Sequence, residues 1–251
     1  MNQIKQPPKS LLRAVGRAIA DYAMIQEGDN ILLGLSGGKD SLSLLIILRH
    51  LQCYAPVHFQ LGVVTVDPQI PGFDPSPLKG YLAQLAMPYF YRNQDIMAEA
   101  QQHLRGKSFC AYCARMKRGI MYSTARQHGY NVLALAQHLD DLAESFFMST
   151  LYAGRLQTMK AHYTNDTGDI RIIRPLIYVR ERQTAAFAQS VQLPVIADSC
   201  PACFAQPTQR AYIKSWLAHE ESQHQHLFKN LLQAMRPLMT KPAAVESLVK
   251  D

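Results

Sequence analysis

Long apolar runs, acidic residues and an export signal are scarce or missing in this 251-residue sequence. Each shortage removes a class of function. No apolar stretch approaches the ~18–20 residues that a membrane-spanning helix needs, so the chain is not expected to cross a bilayer. The start, MNQIKQPPKSLLRAVGRAIADY, lacks a positive stretch followed by a small-residue cleavage site, so a cytoplasmic address is expected. In that compartment the five cysteines are read as reduced thiols or metal ligands rather than disulfides. Acids number 19 against 26 lysines and arginines, a net charge of +7. That balance inclines the surface toward polyanions such as nucleic acid, although an ordinary basic protein carries it too.

What is present is an alternation of strand-like and helix-like segments. NILLGL (Asn30 to Leu35) has the continuous apolar character of a buried strand, and SLSLLIILRHL that of a buried helix. VHFQLGVVTVDP is a second strand ending at Asp67, SPLKGYLAQLAM a helix and PYFYRN a third strand. GIMYSTARQHGY then reads as helix, NVLALAQ as a fourth strand, and HLDDLAESFFMSTLYAG as a helix closed by Gly154. DIRIIRPLIYV offers a fifth strand with a break at Pro175, before the helix RERQTAAFAQSVQ. This order predicts an α/β fold, a doubly wound and mainly parallel sheet with terminal helices. The boundaries expected are a helical extension over 1–26, the main domain over 27–205 and a second helical extension over 206–251. Ligands of such sheets collect at the carboxyl ends of the strands.

The segment Ser36-Gly37-Gly38-Lys39-Asp40-Ser41 falls between the first strand and the first core helix. A glycine turn there points consecutive N–H groups into one concavity, and the helix that follows adds its positive end, which together cradle phosphate. Lys39 can neutralise charge, Ser36 and Ser41 can donate hydrogen bonds, and Asp40 can bind Mg²⁺ or its water shell. The adjacent glycines and the aspartate after the lysine differ from the mononucleotide loop G-x-x-x-x-G-K-[ST] and suit pyrophosphate. SGGKDS resembles the PP-loop of the adenine-nucleotide α-hydrolases, also called PP-loop ATP pyrophosphatases, with a Rossmann-like sheet. That resemblance implies ATP as substrate, split to AMP and pyrophosphate, and places Asp67 near the ribose.

AQHLDDLAES brings Asp140 and Asp141 to the carboxyl end of the fourth strand, with Glu144 one turn beyond Asp140. Acids in a first helical turn gain ~0.3–1 kcal/mol each from the helix dipole, so capping competes with Mg²⁺–pyrophosphate binding as their role. His138 serves packing and hydrogen bonding as readily as catalysis.

Cys110-Ala-Tyr-Cys113 and Cys200-Pro-Ala-Cys203 are two C-x-x-C pairs, with Cys53 apart from both. Such pairs can close one zinc site, hold an iron–sulfur cluster or act as redox thiols, and spacing does not choose between Cys200 and Cys203 as a ligand. CAYCARMKRGIMYSTA, HLDDLAESFFMSTLYAG, IRPLIYVRER and CPACFAQPTQR, together with the phosphate loop, are similar to the tRNA 2-thiocytidine synthetase family. The resemblance implies a [4Fe-4S] cluster on Cys110, Cys113 and Cys203, with Cys200 as a spare thiol. It implies Lys117 near the ATP phosphates and Asp40, Asp140 and Asp141 in catalysis. It further implies tRNA as substrate, a sulfur donor such as a cysteine desulfurase, and a chain able to form a homodimer. The expected reaction is adenylation of a pyrimidine C2 carbonyl and replacement of its oxygen by sulfur, giving 2-thiocytidine. AQHLDD departs from the family's usual GHHxDD at Ala136 and Gln137, which puts the role of that first histidine in doubt.

The basic segments RMKR and RIIRPLIYVRER, the latter with Arg171, Arg174, Arg180 and Arg182, are candidate tracks for tRNA phosphates. Two rivals remain: a cluster-free thiolase working through a cysteine persulfide, and a non-catalytic adaptor that binds nucleotide and is stapled by zinc.

Overall fold

The computed structural model describes residues 6–70, 72–103, 109–196 and 208–240. In chain order the elements are α1 (Lys9–Asp21), β1 (Asp29–Gly34), α2 (Lys39–Tyr54), β2 (Phe59–Asp67), α3 (Ser76–Gln84) and β3 (Tyr89–Asn93). There follow α4 (Ile96–His103), α5 (Phe109–Gln127), β4 (Val132–Ala134), α6 (Leu139–Ala153), β5 (His162–Thr164), β6 (Arg171–Ile173) and α7 (Glu181–Ser190). Two further helices are α8 (Gln209–Gln223) and α9 (Leu227–Met239).

The strands form one sheet in the order β3-β2-β1-β4-β6-β5. Every pairing is parallel except β5 with β6. Strand alternation sorts the apolar side chains onto two faces. Ile31, Leu33 and Val63 join the larger core, with α2 and the terminal helices, while Leu32, Val64 and Leu133 face α4 and α5. Both faces are therefore covered, which is why the strands carry few polar residues. α2 is buried continuously from Ser41 to Leu48, as a helix sandwiched between the sheet and further helices must be.

Leu11 and Val15 of α1, Ile213 and Leu217 of α8, and Phe228 and Met235 of α9 belong to the same core cluster as the sheet. The terminal helices thus share the main hydrophobic core. Gly62 of β2 has a packing reason: a Cβ there would fall within 2.1 Å of the Tyr130 hydroxyl, which caps that face of the strand.

Three local differences from the sequence expectation have physical causes. The fifth apolar segment pairs only over Arg171–Ile173, because Pro175 has no N–H to continue a ladder. The chain instead turns there, with Ile177 donating to the Arg174 carbonyl at 3.3 Å. β5 is an additional strand, joined antiparallel to β6 through a tight turn with Gly168 at φ +78°. The helical expectation at GIMYSTARQHGY captures only the second half of the 19-residue α5, whose start carries Cys110 and Cys113. Among the described residues no helix is long and apolar enough to cross a membrane.

From β1 the chain moves first to β2 on one side and later to β4 on the other. Connections leaving the carboxyl ends of β1 and β4 diverge, and the crevice between them is where this architecture places ligands.

Candidate functional site

The loop after β1 enters this crevice. Gly37 has φ +86°, and a Cβ on it would lie 2.7 Å from Cδ1 of Ile196. Ile196 also donates its N–H to the Gly37 carbonyl at 2.9 Å. Both conformation and packing therefore demand glycine at this position. Gly38 is different: its φ is −74°, and a Cβ would meet only Ser36 Oγ at 3.5 Å. The space at Gly38 is open at the start of α2, whose first-turn N–H groups receive no side-chain cap. Ser36 and Ser41 brace the turn: Ser36 Oγ accepts from Gly38 N–H at 3.3 Å, Ser41 Oγ donates to the Gly38 carbonyl at 3.0 Å, and the two hydroxyls lie 3.2 Å apart. An uncapped helix start behind a braced glycine turn is a fitting receptor for a phosphate group.

Charged side chains from four helices converge on the turn. Lys39 Nζ lies 3.1 Å from Asp40 and 2.9 Å from Glu181, whose other oxygen receives Lys214 at 2.6 Å. Asp40 also accepts a hydrogen bond from the Thr184 hydroxyl of α7. Although burial alone would raise it, the Glu181 carboxyl is pulled down to about 2 by Lys214 and Lys39. Lys39, which burial would lower, is raised in turn by Glu181 and Asp40.

His138 links the two loops. It is buried and caps α6: Asp141 N–H donates to His138 Nδ1 at 3.3 Å, and His138 N–H donates to Asp141 Oδ2 at 3.0 Å. Its Nε2 lies 3.7 Å from Asp40, and its Nδ1 lies 3.7 Å from Asp140. Three carboxylates thus surround one imidazole at the β1–β4 crevice.

Neither aspartate of the pair is idle. Asp140 accepts from Arg180 at 2.9 Å and from the Glu181 N–H at 2.7 Å. Asp141 accepts from Arg210 at 2.7 Å, and Arg210 reaches Glu144 at 2.6 Å. The Glu144 carboxyl is raised by burial, against the opposing pull of Arg210. Arg180 continues to Glu221 at 2.6 Å and stacks on the Phe228 ring 3.3 Å from its centroid. Lys39, Asp140, Glu144, Arg180, Lys214 and Phe228 contribute to the walls of a cavity of about 300 Å³ beside the glycine turn.

Cys110 and Cys113 lie at the start of α5, Cys110 exposed and Cys113 half-buried. A crossover helix between parallel strands runs against them, so this turn belongs to the carboxyl edge of the sheet. The Arg210 guanidinium registers that closeness: burial would lower its pKa, and Asp141, Glu144 and Cys110 together hold it above the ordinary arginine value. Arg210 therefore feels Cys110 as well as the carboxylates of α6, of which Asp141 contacts His138. Two cysteines at i and i+3 share one helix face and fit as part of a soft-metal ligand set. Cys200 and Cys203 lie outside the described residues.

Asp67 ends β2, buried, and accepts from Tyr91 Oη at 2.5 Å and from Gln69 N–H at 2.7 Å. That bond to Asp67 pushes the Tyr91 hydroxyl up to about 12. Lys117 is half-buried one turn beyond Cys113 and lies outside the walls of the cavity beside the glycine turn.

The expected phosphate track along RIIRPLIYVRER does not form. Arg171 is paired with buried Asp29. Arg174 is buried and donates to Gln137 Oε1 at 2.9 Å and the Lys160 carbonyl at 2.5 Å. Arg180 belongs to the cleft, which leaves Arg182 as the one well-exposed member. Conversely, Arg180, Glu181, Arg210 and Lys214 are site residues that sequence reasoning missed as such. They come from helices far from the glycine loop in sequence, and no motif spacing connects them to it.

Known proteins resemble this chain in sequence and in fold. The PP-loop domain family matches residues 9–221. The tRNA-cytidine(32) 2-sulfurtransferase of Nitrosomonas eutropha is 40% identical over 230 residues, covering 91% of this chain and 73% of that protein. The enzyme of the same name from Geobacter sulfurreducens is 38% identical over 228 residues, covering 90% and 89%. Among solved structures, the U34-tRNA thiolase NcsA from Methanococcus maripaludis, with its [4Fe-4S] cluster, superposes with a TM-score of 0.78 at 19% identity, covering 92% of this chain and 78% of that one. At that identity the likeness establishes the shared fold.

Proposed function

Because this chain belongs to the PP-loop family, among the tRNA-cytidine(32) 2-sulfurtransferases, we propose that it thiolates C2 of a tRNA cytidine at the expense of ATP. The observation that carries this reading is the shared edge of the sheet: α2, α5 and α6 all begin at the carboxyl ends of parallel strands, and a chain of contacts runs from the glycine loop through Asp40, His138 and Asp141 to Arg210. Adenylation at O2 and sulfur delivery to C2 act on one carbonyl, so their two centres must face each other.

In this reading the cytidine O2 attacks the α-phosphorus of ATP, and pyrophosphate leaves toward Ser36, Gly37, Gly38, Lys39 and Ser41. Lys39 and the α2 N-terminus then stabilise charge that grows in the transition state. Asp40, with Asp140 or Asp141, is the proposed holder of Mg²⁺, which would exchange for the present Lys39 and arginine contacts. Sulfide adds to the activated C2, and AMP departs with the former carbonyl oxygen. Asp67 is assigned to the ribose and Lys117 to the phosphates. Cys110, Cys113 and Cys203 would hold a [4Fe-4S] cluster, which would supply soft-metal sulfur chemistry there; the soft sulfur donors and the helix spacing of the first two suit it. The chemistry is assigned to the domain over 27–205, with the helical extensions over 1–26 and 206–251 flanking it in sequence. A cysteine desulfurase as sulfur source, a homodimer and a cytoplasmic location complete the proposal.

The test is to incubate anaerobically purified protein with ATP, Mg²⁺, sulfide and unmodified tRNA, and to digest the product for nucleoside mass spectrometry. The expected product is 2-thiocytidine, with AMP and pyrophosphate formed in step. Absence of any thionucleoside under conditions where ATP binds would overturn the assignment. Iron and acid-labile sulfide near four each per chain separate it from the persulfide mechanism, in which both are absent.

A further inference from the structure

A second, larger depression runs along α5, on the opposite face of the sheet from α2. Its volume is about 910 Å³, and Arg92, Arg115, Arg118, Tyr122, Gln127 and Tyr163 are among its walls. It begins at Arg115, two residues beyond Cys113, and so opens beside the cysteine turn.

Its charges are unbalanced. Among the described residues Arg92, Arg115 and Arg118 have no carboxylate within ion-pair distance; Arg92 is instead oriented by Thr124 at 3.2 Å and Gln127 at 3.2 Å. Under the Tyr163 side lies Arg174, its guanidinium carbon 5.4 Å from that ring centroid, buried and likewise without a carboxylate partner among the described residues. Burial depresses Arg174, its interaction with the Tyr163 hydroxyl opposes that, and the neighbouring charge of Arg118 depresses it further. A buried cation without a counter-ion is costly, and a site that gathers further cations above it is suited to receive an anion. The one acid on the walls is Asp166, on the exposed turn between β5 and β6; Asp169 of the same turn is paired with Arg126. Tyr122 and Tyr163 add aromatic surface between the arginines, the combination that single-stranded or looped RNA uses for stacking.

We propose that this groove seats the sugar-phosphate backbone of the tRNA, with phosphates against Arg115 and Arg118 and the target nucleotide leading from the groove past the cysteine turn to the cleft. This rests on the tRNA-thiolating function proposed above. It assigns the contact to α5 and the end of β3, in place of the RIIRPLIYVRER segment whose arginines are mostly committed internally.

The experiment compares full-length wild-type protein with R115E/R118E and with K9E/R13E. The latter makes the same charge change on the exposed face of α1, a helix packed in the core on the other side of the sheet. Binding of an unmodified tRNA transcript is measured by anisotropy from 50 to 200 mM salt, with the ATP-induced rise in Tm as the check of folding. The groove variant is expected to bind at least tenfold more weakly at 100 mM salt, with the slope of log K against log salt shallower by about 2, while K9E/R13E stays within threefold of wild type. R115Q/R118Q supplies the same slope readout if the reversed charges disturb folding. Equal losses in the two charge-reversed proteins, or an unchanged slope in both groove variants, would overturn the groove assignment. Wild-type protein that binds no tRNA would instead overturn the functional reading beneath it.

Discussion

The cleft at the glycine turn and the groove along α5 are both rich in cations, yet they treat them in opposite ways. In the cleft Lys39, Arg180, Arg210 and Lys214 each have a carboxylate within 2.9 Å. In the groove Arg92, Arg115 and Arg118 have none among the described residues. The paired set ties α7 and α8 to the loops after β1 and β4, so its charges shape the site before any ligand arrives. The unpaired set makes no ion pair among the described residues, which leaves its charge available for a polyanion from outside. A charged residue's worth here thus depends on whether a carboxylate already holds it, since a half-buried ion pair is costly to break.

The comparison breaks first at Lys39. Lys39→Ala removes the cation nearest the phosphate cradle, and pyrophosphate release is expected to fall at least 100-fold in a coupled assay, as for loss of a transition-state donor. A loss below fivefold would mean that Lys39 serves only to hold Glu181 in place. Arg210→Ala leaves Asp141 and buried Glu144 without their guanidinium. Chemical denaturation is expected to show a loss of about 2 kcal/mol, moderated because Arg210 is partly exposed.

The two glycines sharpen the point at smaller magnitude. Gly37→Ala must place a Cβ at φ +86° against Ile196 and is expected to cost about 1–2 kcal/mol. Gly38→Ala should cost less stability yet weaken ATP binding, because its Cβ would project into the cradle; isothermal titration beside denaturation separates the two effects.

Glu181 gives the cleft a pH signature. Its carboxyl titrates at about 2, below the ordinary value of 4.5. Its contribution is therefore present above the ordinary value and lost as pH falls from about 5 through about 2. Wild type should lose stability over that window relative to Glu181→Gln, and the two curves should converge near its lower end. Parallel curves would show that the Lys39–Glu181–Lys214 pairs are energetically inert. The smallest effect belongs to the groove: Arg118→Ala should change stability by no more than about 0.5 kcal/mol while lowering the salt slope of tRNA binding by about 1.

Much of this architecture was legible beforehand. The strand–helix alternation, the glycine turn and the acid-bearing helix start at Asp140 all depend on local spacing, and all lie where their periodicity indicates. The β5–β6 hairpin was not, because a three-residue strand produces no period, and its nearest signal was the turn sequence Asn165-Asp166-Thr167-Gly168. The arginines of RIIRPLIYVRER misled for a related reason. A run of basic residues in sequence gives no indication that Asp29 waits beneath one of them and Asp140 and Glu221 beside another.

By itself, then, the sequence determined the α/β layering, the phosphate-binding turn and the paired thiols, since each is written in residues that are neighbours along the chain. Tertiary structure alone decided which cations are spent on internal carboxylates and which are left over. It also decided that Arg210 of α8 pairs with Asp141 and Glu144 of α6. Those outcomes depend on distances between residues separated by tens to more than a hundred positions, and Coulomb interactions follow distance through space, not along the chain.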